Sequence, residues 1–192
     1  MAIPRQLPNA ITIARIPLAF VFVVLLVLGG RLGAEDLVLR WVAAVLFVVG
    51  ISTDWVDGYL ARKHDIVSDL GKILDPIADK LLTGAGFVGL AILGEIPWWM
   101  VVVILIREWG ITIHRLTIVT EHVVAAAWMG KVKTVVQAVA LSWALLPLWL
   151  LIGEPAFAVV TLVLMWAAVL LTVASGIDYV VAQARGARRS SA

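Results

Sequence analysis

Four aspartates stand in apolar stretches where an ionisable side chain is costly and marks function by default. Asp54 and Asp57 lie three positions apart, and Asp75 and Asp79 four apart. At about 100° per residue, three positions amount to about 300° and four to about 400°, so each pair shares a face if its stretch is helical. The short link over 63–69 makes the two stretches antiparallel neighbours and brings both pairs to one depth. Four converging carboxylates repel, and Lys72 and Lys80 cannot neutralise them all. Either they take up protons or a cation sits among them. Oxygen-only ligands favour Mg²⁺, Mn²⁺ or Ca²⁺. Four acids suit two ions, as in sites that clamp both oxygens of a phosphoryl displacement. Asp65 and Asp69, in the link itself, read instead as solvated loop residues. Gly58 and Ala61 continue the stripe of the first pair, and Gly71 opens that of the second. Small residues at this spacing usually only let helices pack; beside an acidic cluster they read as a slot for a bulky ligand.

A second charged set follows. Arg107 and Glu108 fall inside another apolar stretch, Arg115 lies eight residues on, and Lys131 and Lys133 start the next helix. Adjacent helical residues do not face each other, so Arg107 is expected to meet a phosphate or a carboxylate on another helix. Lys131 and Lys133 fit phosphate ligands and ordinary membrane-flanking charges equally well. His64, His114 and His122 lack metal-ligand spacing and read as loop or interface residues. The absence of cysteine excludes disulfides, thiolate zinc and a cysteine nucleophile.

The elements that must position these groups are membrane helices. The 192 residues are 62% hydrophobic and 15% charged, with a mean hydropathy of +1.04. An ordinary soluble domain is about half apolar and a quarter charged. The nine Trp suit a chain with many membrane-water interfaces, and a net charge of +2 gives no attraction for nucleic acid. Apolar runs long enough to cross a core of about 30 Å occupy 11–29, 37–61, 70–94, 97–115, 134–152 and 155–184. The expected fold is all-α, a polytopic bundle of six transmembrane helices forming one domain over 1–185. A short basic, disordered tail over 186–192 would touch anionic lipid. The runs exceed a barrel strand and lack period-2 alternation. Gly29-Gly30, Gly94-Glu95-Ile96-Pro97 and Gly153-Glu154-Pro155 break them.

Six spans put both termini on one side. That side holds ten basic residues (Arg5, Arg62, Lys63, Lys72, Arg115, Lys131, Lys133, Arg185, Arg188 and Arg189) against Arg31 and Arg40 on the other. Both termini and the acids are therefore expected in the cytosol, with Glu35, Asp36, Glu95 and Glu154 outside. The first run does not read as a signal peptide, since Asn9 and Arg15 interrupt its start and no cleavage site follows Leu28.

The acids and their neighbours spell Asp54-x2-Asp57-Gly58-x2-Ala61-Arg62-x8-Gly71-x3-Asp75-x3-Asp79. This resembles the signature of the CDP-alcohol phosphotransferase family at every fixed position, a coincidence on the order of 10⁻¹⁰ per starting position from average residue usage. Further stretches resemble its bacterial phosphatidylglycerophosphate synthase branch. They are Leu7-Pro8-Asn9 with Thr12 and Arg15, the run from Leu74 to Leu81, Arg107-Glu108-Trp109 with Arg115, and Gly130 to Thr134. The resemblance implies a six-helix, dimeric membrane enzyme that displaces CMP from CDP-diacylglycerol with an alcohol. It implies that Asp54, Asp57, Asp75 and Asp79 bind one or two Mg²⁺ or Mn²⁺ ions, with Asp79 also the base. It places CDP-diacylglycerol against Asn9, Gly58, Ala61, Arg62 and Gly71, and the phosphate of glycerol 3-phosphate against Arg107, Arg115, Lys131 and Lys133. The bacterial cytoplasmic membrane is the implied location, with membrane lipid and a second copy as partners and no nucleic acid. Within the family, phosphatidylinositol-phosphate synthase and cardiolipin synthase share the acidic signature. A divalent-cation transporter would need acids continuing to the other face, yet 81–93 is uncharged.

Overall fold

The computed structural model describes residues 7–64, 69–117 and 127–190. Six long helices run through them: α1 (Leu7–Gly29), α2 (Leu37–His64), α3 (Asp69–Ile92), α4 (Trp98–Thr117), α5 (Ala127–Leu145) and α7 (Glu154–Ser190). A 3-10 turn (Arg31–Gly33) joins α1 to α2, and a single turn, α6 (Trp149–Ile152), separates α5 from α7. No strand occurs among the described residues. The all-α architecture and the six long helices match the expectation from hydropathy.

The breakers act where they were read. Gly30, Gly94 and Gly153 all have positive φ (75°, 68° and 80°), a backbone that residues with a Cβ rarely adopt. α1 packs on α2 and α3, α7 packs on α4 and α5, and α3 joins the two groups through α4 and α5. Between them lies a core of Phe22, Leu26, Phe47, Leu82, Phe87, Leu90, Met100, Ile104, Leu141 and Met165. Close approach is built in at Gly89, where an added Cβ would stand 2.7 Å from a Leu26 methyl.

The outward faces remain apolar: Phe20, Val38, Ile106, Val159 and Leu170 are each more than 60% exposed. Contiguous apolar surface of this kind suits lipid rather than water. Within α7, the stretch Glu154–Arg185 is long and apolar enough to cross a membrane, and Ile13–Gly29 and Leu37–Thr53 are shorter apolar stretches.

Three expectations are corrected. The fifth helix was placed over 134–152, but α5 spans Ala127–Leu145, so Lys131 and Lys133 lie inside its first turns. Pro147 ends it, because the ring offers no N–H and disfavours helical backbone at the residue before it; the Leu148 N–H turns to the Leu146 carbonyl at 2.7 Å. Arg40, in the first turn of α2, is fully buried. The basic tail is not disordered from residue 186, since α7 continues through Ser190. Asp69 begins α3 rather than lying in the link, while Asp65, Glu121 and His122 fall outside the described residues.

Candidate functional site

The acidic pairs lie within continuous helices, Asp54 and Asp57 on α2 and Asp75 and Asp79 on α3. α2 and α3 are packed neighbours, so the spacing argument holds for both. Gly58, Ala61 and Arg62 follow on α2, Gly71 precedes Asp75 on α3, Asn9 is on α1 and Arg115 on α4. The side chains of Asn9, Asp54, Asp57, Ala61, Arg62, Asp75 and Arg115 fall outside the described part.

Asp79 is half-buried, and its Oδ2 accepts a hydrogen bond from Lys80 Nζ at 2.8 Å. The same ammonium is 3.1 Å from Glu108 Oε2. Glu108, 4% exposed, is the centre of the cluster. Its Oε1 accepts from Lys133 Nζ of α5 and from Arg107 Nη1 at 3.2 Å. Gln137 Nε2 approaches the same oxygen at 3.5 Å.

Helix α7 braces this group from behind. Arg107 Nη2 donates to Ser175 Oγ at 3.0 Å, and Gln137 Nε2 donates to Thr172 Oγ1 at 2.9 Å. Gly176 leaves room for the Arg107 stem, since a Cβ there would come within 3.3 Å of Arg107 Cγ. Side chains of α3, α4 and α5 thus converge on one carboxylate, with α7 holding two of them in place.

Of the acceptor-site candidates, Arg107 and Lys133 come together on Glu108, whereas Lys131 is exposed on α5. The expectation that Arg107 would not meet its neighbour in sequence is corrected: Arg107 pairs with Glu108 and Lys80 with Asp79. Long stems curl along the helix toward an oxygen that several cations share, which the positions of the Cβ atoms alone do not forbid. Lys80, Arg107 and Lys133 carry three positive charges against the two negative charges of Asp79 and Glu108, a net charge of +1 in a mostly buried set. A dianion arriving there would meet donors already held in place.

The all-oxygen set of the four aspartates on two packed helices fits a hard divalent cation in its chemistry. Among the described residues no group of three or more acidic or histidine side chains forms a metal site. His114 Nδ1 is 2.8 Å from Tyr179 Oη, a contact that ties α4 to α7.

Two elements were missed in the sequence. Glu108 was not read as a site residue, although an acid within an apolar run, like the lysines at 80 and 133, is a costly group in want of a partner. At the opposite end of the bundle, Arg40 donates to both oxygens of Glu95, at 2.6 and 2.8 Å. It also caps the α5 carbonyls of Ala144 and Leu145 at 2.7 and 3.0 Å. Beside that pair lies a cavity of about 240 Å³ bordered by Arg31, Glu95, Met100, Glu154, Phe157 and Met165.

Comparison with known proteins places this geometry in context. A family model described as CDP-alcohol phosphatidyltransferase matches residues 5–174. The chain is 41% identical over 175 residues to a "Probable phosphatidylglycerophosphate synthase" of Mycobacterium tuberculosis (strain ATCC 25618 / H37Rv), covering 91% of this chain and 80% of that protein. It is 44% identical over 185 residues to the "CDP-diacylglycerol--glycerol-3-phosphate 3-phosphatidyltransferase" of Bacillus subtilis (strain 168), covering 91% and 93%. A protein of the same name from Rickettsia prowazekii (strain Madrid E) is 32% identical over 185 residues, covering 93% and 96%.

Proposed function

The chain belongs to the CDP-alcohol phosphatidyltransferase family, and from that premise we propose that it transfers the phosphatidyl group of CDP-diacylglycerol to sn-glycerol 3-phosphate. The products are phosphatidylglycerophosphate and CMP. The observation that carries the choice of acceptor is the buried cation excess of Lys80, Arg107 and Lys133 beside Asp79. A small alcohol with a phosphate dianion needs fixed cations next to a base, whereas a lipid acceptor needs more apolar groove. The relatives' names point the same way.

The bond changes are simple. A hydroxyl oxygen of glycerol 3-phosphate bonds to the phosphorus that carries diacylglycerol. The bond from that phosphorus to the oxygen bridging to CMP breaks, and CMP leaves with the electron pair. Asp79 takes the hydroxyl proton. Arg107 and Lys133, with Arg115 and Lys131, hold the acceptor phosphate. Asn9, Gly58, Ala61, Arg62 and Gly71 border the nucleotide and diphosphate. Asp54, Asp57, Asp75 and Asp79 would hold one or two divalent ions, Mg²⁺ or Mn²⁺, which when bound supply polarisation of the diphosphate and stabilise the leaving CMP. No covalent protein intermediate is required.

The test is CMP release by purified protein from CDP-diacylglycerol in mixed micelles. Release should need both glycerol 3-phosphate and a divalent ion, stop on chelation and return with Mg²⁺ or Mn²⁺. Turnover that persists in excess chelator would contradict the metal assignment.

The enzyme is placed in the bacterial cytoplasmic membrane as a six-span protein, with the acids and both termini cytosolic. Residues 1–185 form the catalytic domain and 186–192 a basic cytosolic extension. This orientation gains from the burial of Arg40, which removes it from the exposed charge opposing the ten basic residues. An impermeant thiol reagent on intact cells should label Gly153→Cys and spare Ser68→Cys; the reverse would overturn the orientation. The homodimer implied by the resemblance predicts a cross-linked species of twice the 20.7 kDa chain mass; cross-linking that yields monomer alone would contradict it.

A further inference from the structure

We infer that Glu108 is a positioning residue of the acceptor site: its carboxylate gathers the cations that bind the phosphate of the acceptor alcohol and ties them, through Lys80, to Asp79. The inference rests on the acceptor reading above and adds to it a residue with no contact to either substrate.

Glu108 is almost wholly buried on α4, yet three cations from three helices meet it: Lys80 of α3, Arg107 of α4 and Lys133 of α5. Glu108 is shared by all three cations, one of which also pairs with Asp79, so it does not serve as a closed ion pair. The two lysine ammoniums are compact charges on flexible four-carbon stems, and left alone they and the Arg107 guanidinium would spread apart. A shared anion holds them within hydrogen-bond reach of one point. The described contacts of Lys133 occupy only one of its three N–H donors, leaving donors for an incoming oxygen. The braces on α7 bear on the same set: Ser175 takes the second Arg107 nitrogen, and Thr172 orients Gln137 against Glu108.

Lys80 supplies the second half of the inference. It bridges Asp79 Oδ2 at 2.8 Å and Glu108 Oε2 at 3.1 Å. The group that takes the proton and the group that gathers the phosphate-binding cations therefore share one ammonium. A phosphate placed by Glu108's cations is thereby placed at a fixed offset from the base, and for a three-carbon acceptor that offset is what aligns a hydroxyl.

The experiment is a two-substrate kinetic comparison of Glu108→Gln and Glu108→Asp with the parent protein. Glu108→Gln keeps the volume and one acceptor oxygen while removing the charge. It should raise the KM for glycerol 3-phosphate by about tenfold to a hundredfold, the scale of a displaced charge-assisted hydrogen bond. The KM for CDP-diacylglycerol should stay within about twofold, which also shows that the variant is folded. Glu108→Asp retains the charge on a stem one carbon shorter and should give an intermediate rise; if Glu108→Gln does not fold, this variant carries the test. An equal change in both KM values, or none for glycerol 3-phosphate in a folded variant, overturns the inference. Parent protein that releases no CMP with glycerol 3-phosphate overturns the acceptor reading first, before any variant is compared.

Discussion

The two ends of the bundle handle buried charge in opposite ways. At one end a single guanidinium, Arg40, meets a single carboxylate, Glu95, and two helix-terminal carbonyls. Leu32 N–H adds a further bond to Glu95 Oε1 at 3.0 Å, and the Arg40 guanidinium lies 5.3 Å from the Trp149 ring centre. At the other end one carboxylate, Glu108, meets three cations. Arg40 and Asp54 are fourteen positions apart on α2, about 21 Å along a helix axis, so a single helix serves both arrangements. The first is balanced and four of the five guanidinium N–H donors are spent on the protein; it is a clamp that closes the α5 end left open by Pro147. The second has more positive than negative charge and waits for an anion. Buried ionisable residues in a membrane protein thus separate by balance: a satisfied set holds the fold, and under the proposed function the unbalanced set beside the proposed base binds substrate.

That contrast breaks most visibly at Arg40. Removing one partner of a buried ion pair leaves the other charge unpaired, a loss of about 3–5 kcal/mol. Arg40→Ala should therefore sharply lower the thermal stability of the detergent-solubilised enzyme, read by dye-reported unfolding, while the molecules that remain folded keep both KM values. Altered acceptor KM at unchanged stability would mean that this end too belongs to the site.

Asp79→Asn should do the reverse. It should preserve stability and CDP-diacylglycerol binding but lower kcat by at least about 10²-fold, the usual scale for a group that transfers the proton. Lost binding with unchanged residual turnover would make Asp79 a ligand only. A smaller effect is expected at Lys133→Ala and Arg107→Ala. Each should raise the KM for glycerol 3-phosphate by about tenfold, one charge-assisted bond's worth, with the KM for CDP-diacylglycerol held. Equal inhibition of parent and variants by an unreactive glycerol 3-phosphate analogue that keeps the phosphate would contradict phosphate binding by these cations.

The same division explains what was legible in the sequence. Helices α1 to α4 and α7 could be read because apolar runs end at glycines whose positive φ no helix continues, at Gly30, Gly94 and Gly153. α5 was displaced because the apolar run continues past Leu145; only the missing N–H of Pro147 marks the break. Asp54, Asp57, Asp75 and Asp79 were legible because their partners are local, three or four residues away on the same helix. Glu108 and Arg40 were not, because their partners on other helices lie 25 to 105 positions away, among them Lys133 and Gln137 for one and Glu95 and Leu145 for the other. Spacing encodes a helix face; it does not encode which faces meet.

The most direct test of the account is an acceptor competition in one vessel. Purified enzyme, CDP-diacylglycerol and Mg²⁺ are mixed with equal glycerol 3-phosphate, inositol phosphate and phosphatidylglycerol, and the lipid products are identified by mass. The account predicts phosphatidylglycerophosphate as the main product, formed with one CMP per lipid. Faster formation of phosphatidylinositol phosphate or cardiolipin would contradict it, and would mean that the cation cluster on Glu108 serves another acceptor of the same family.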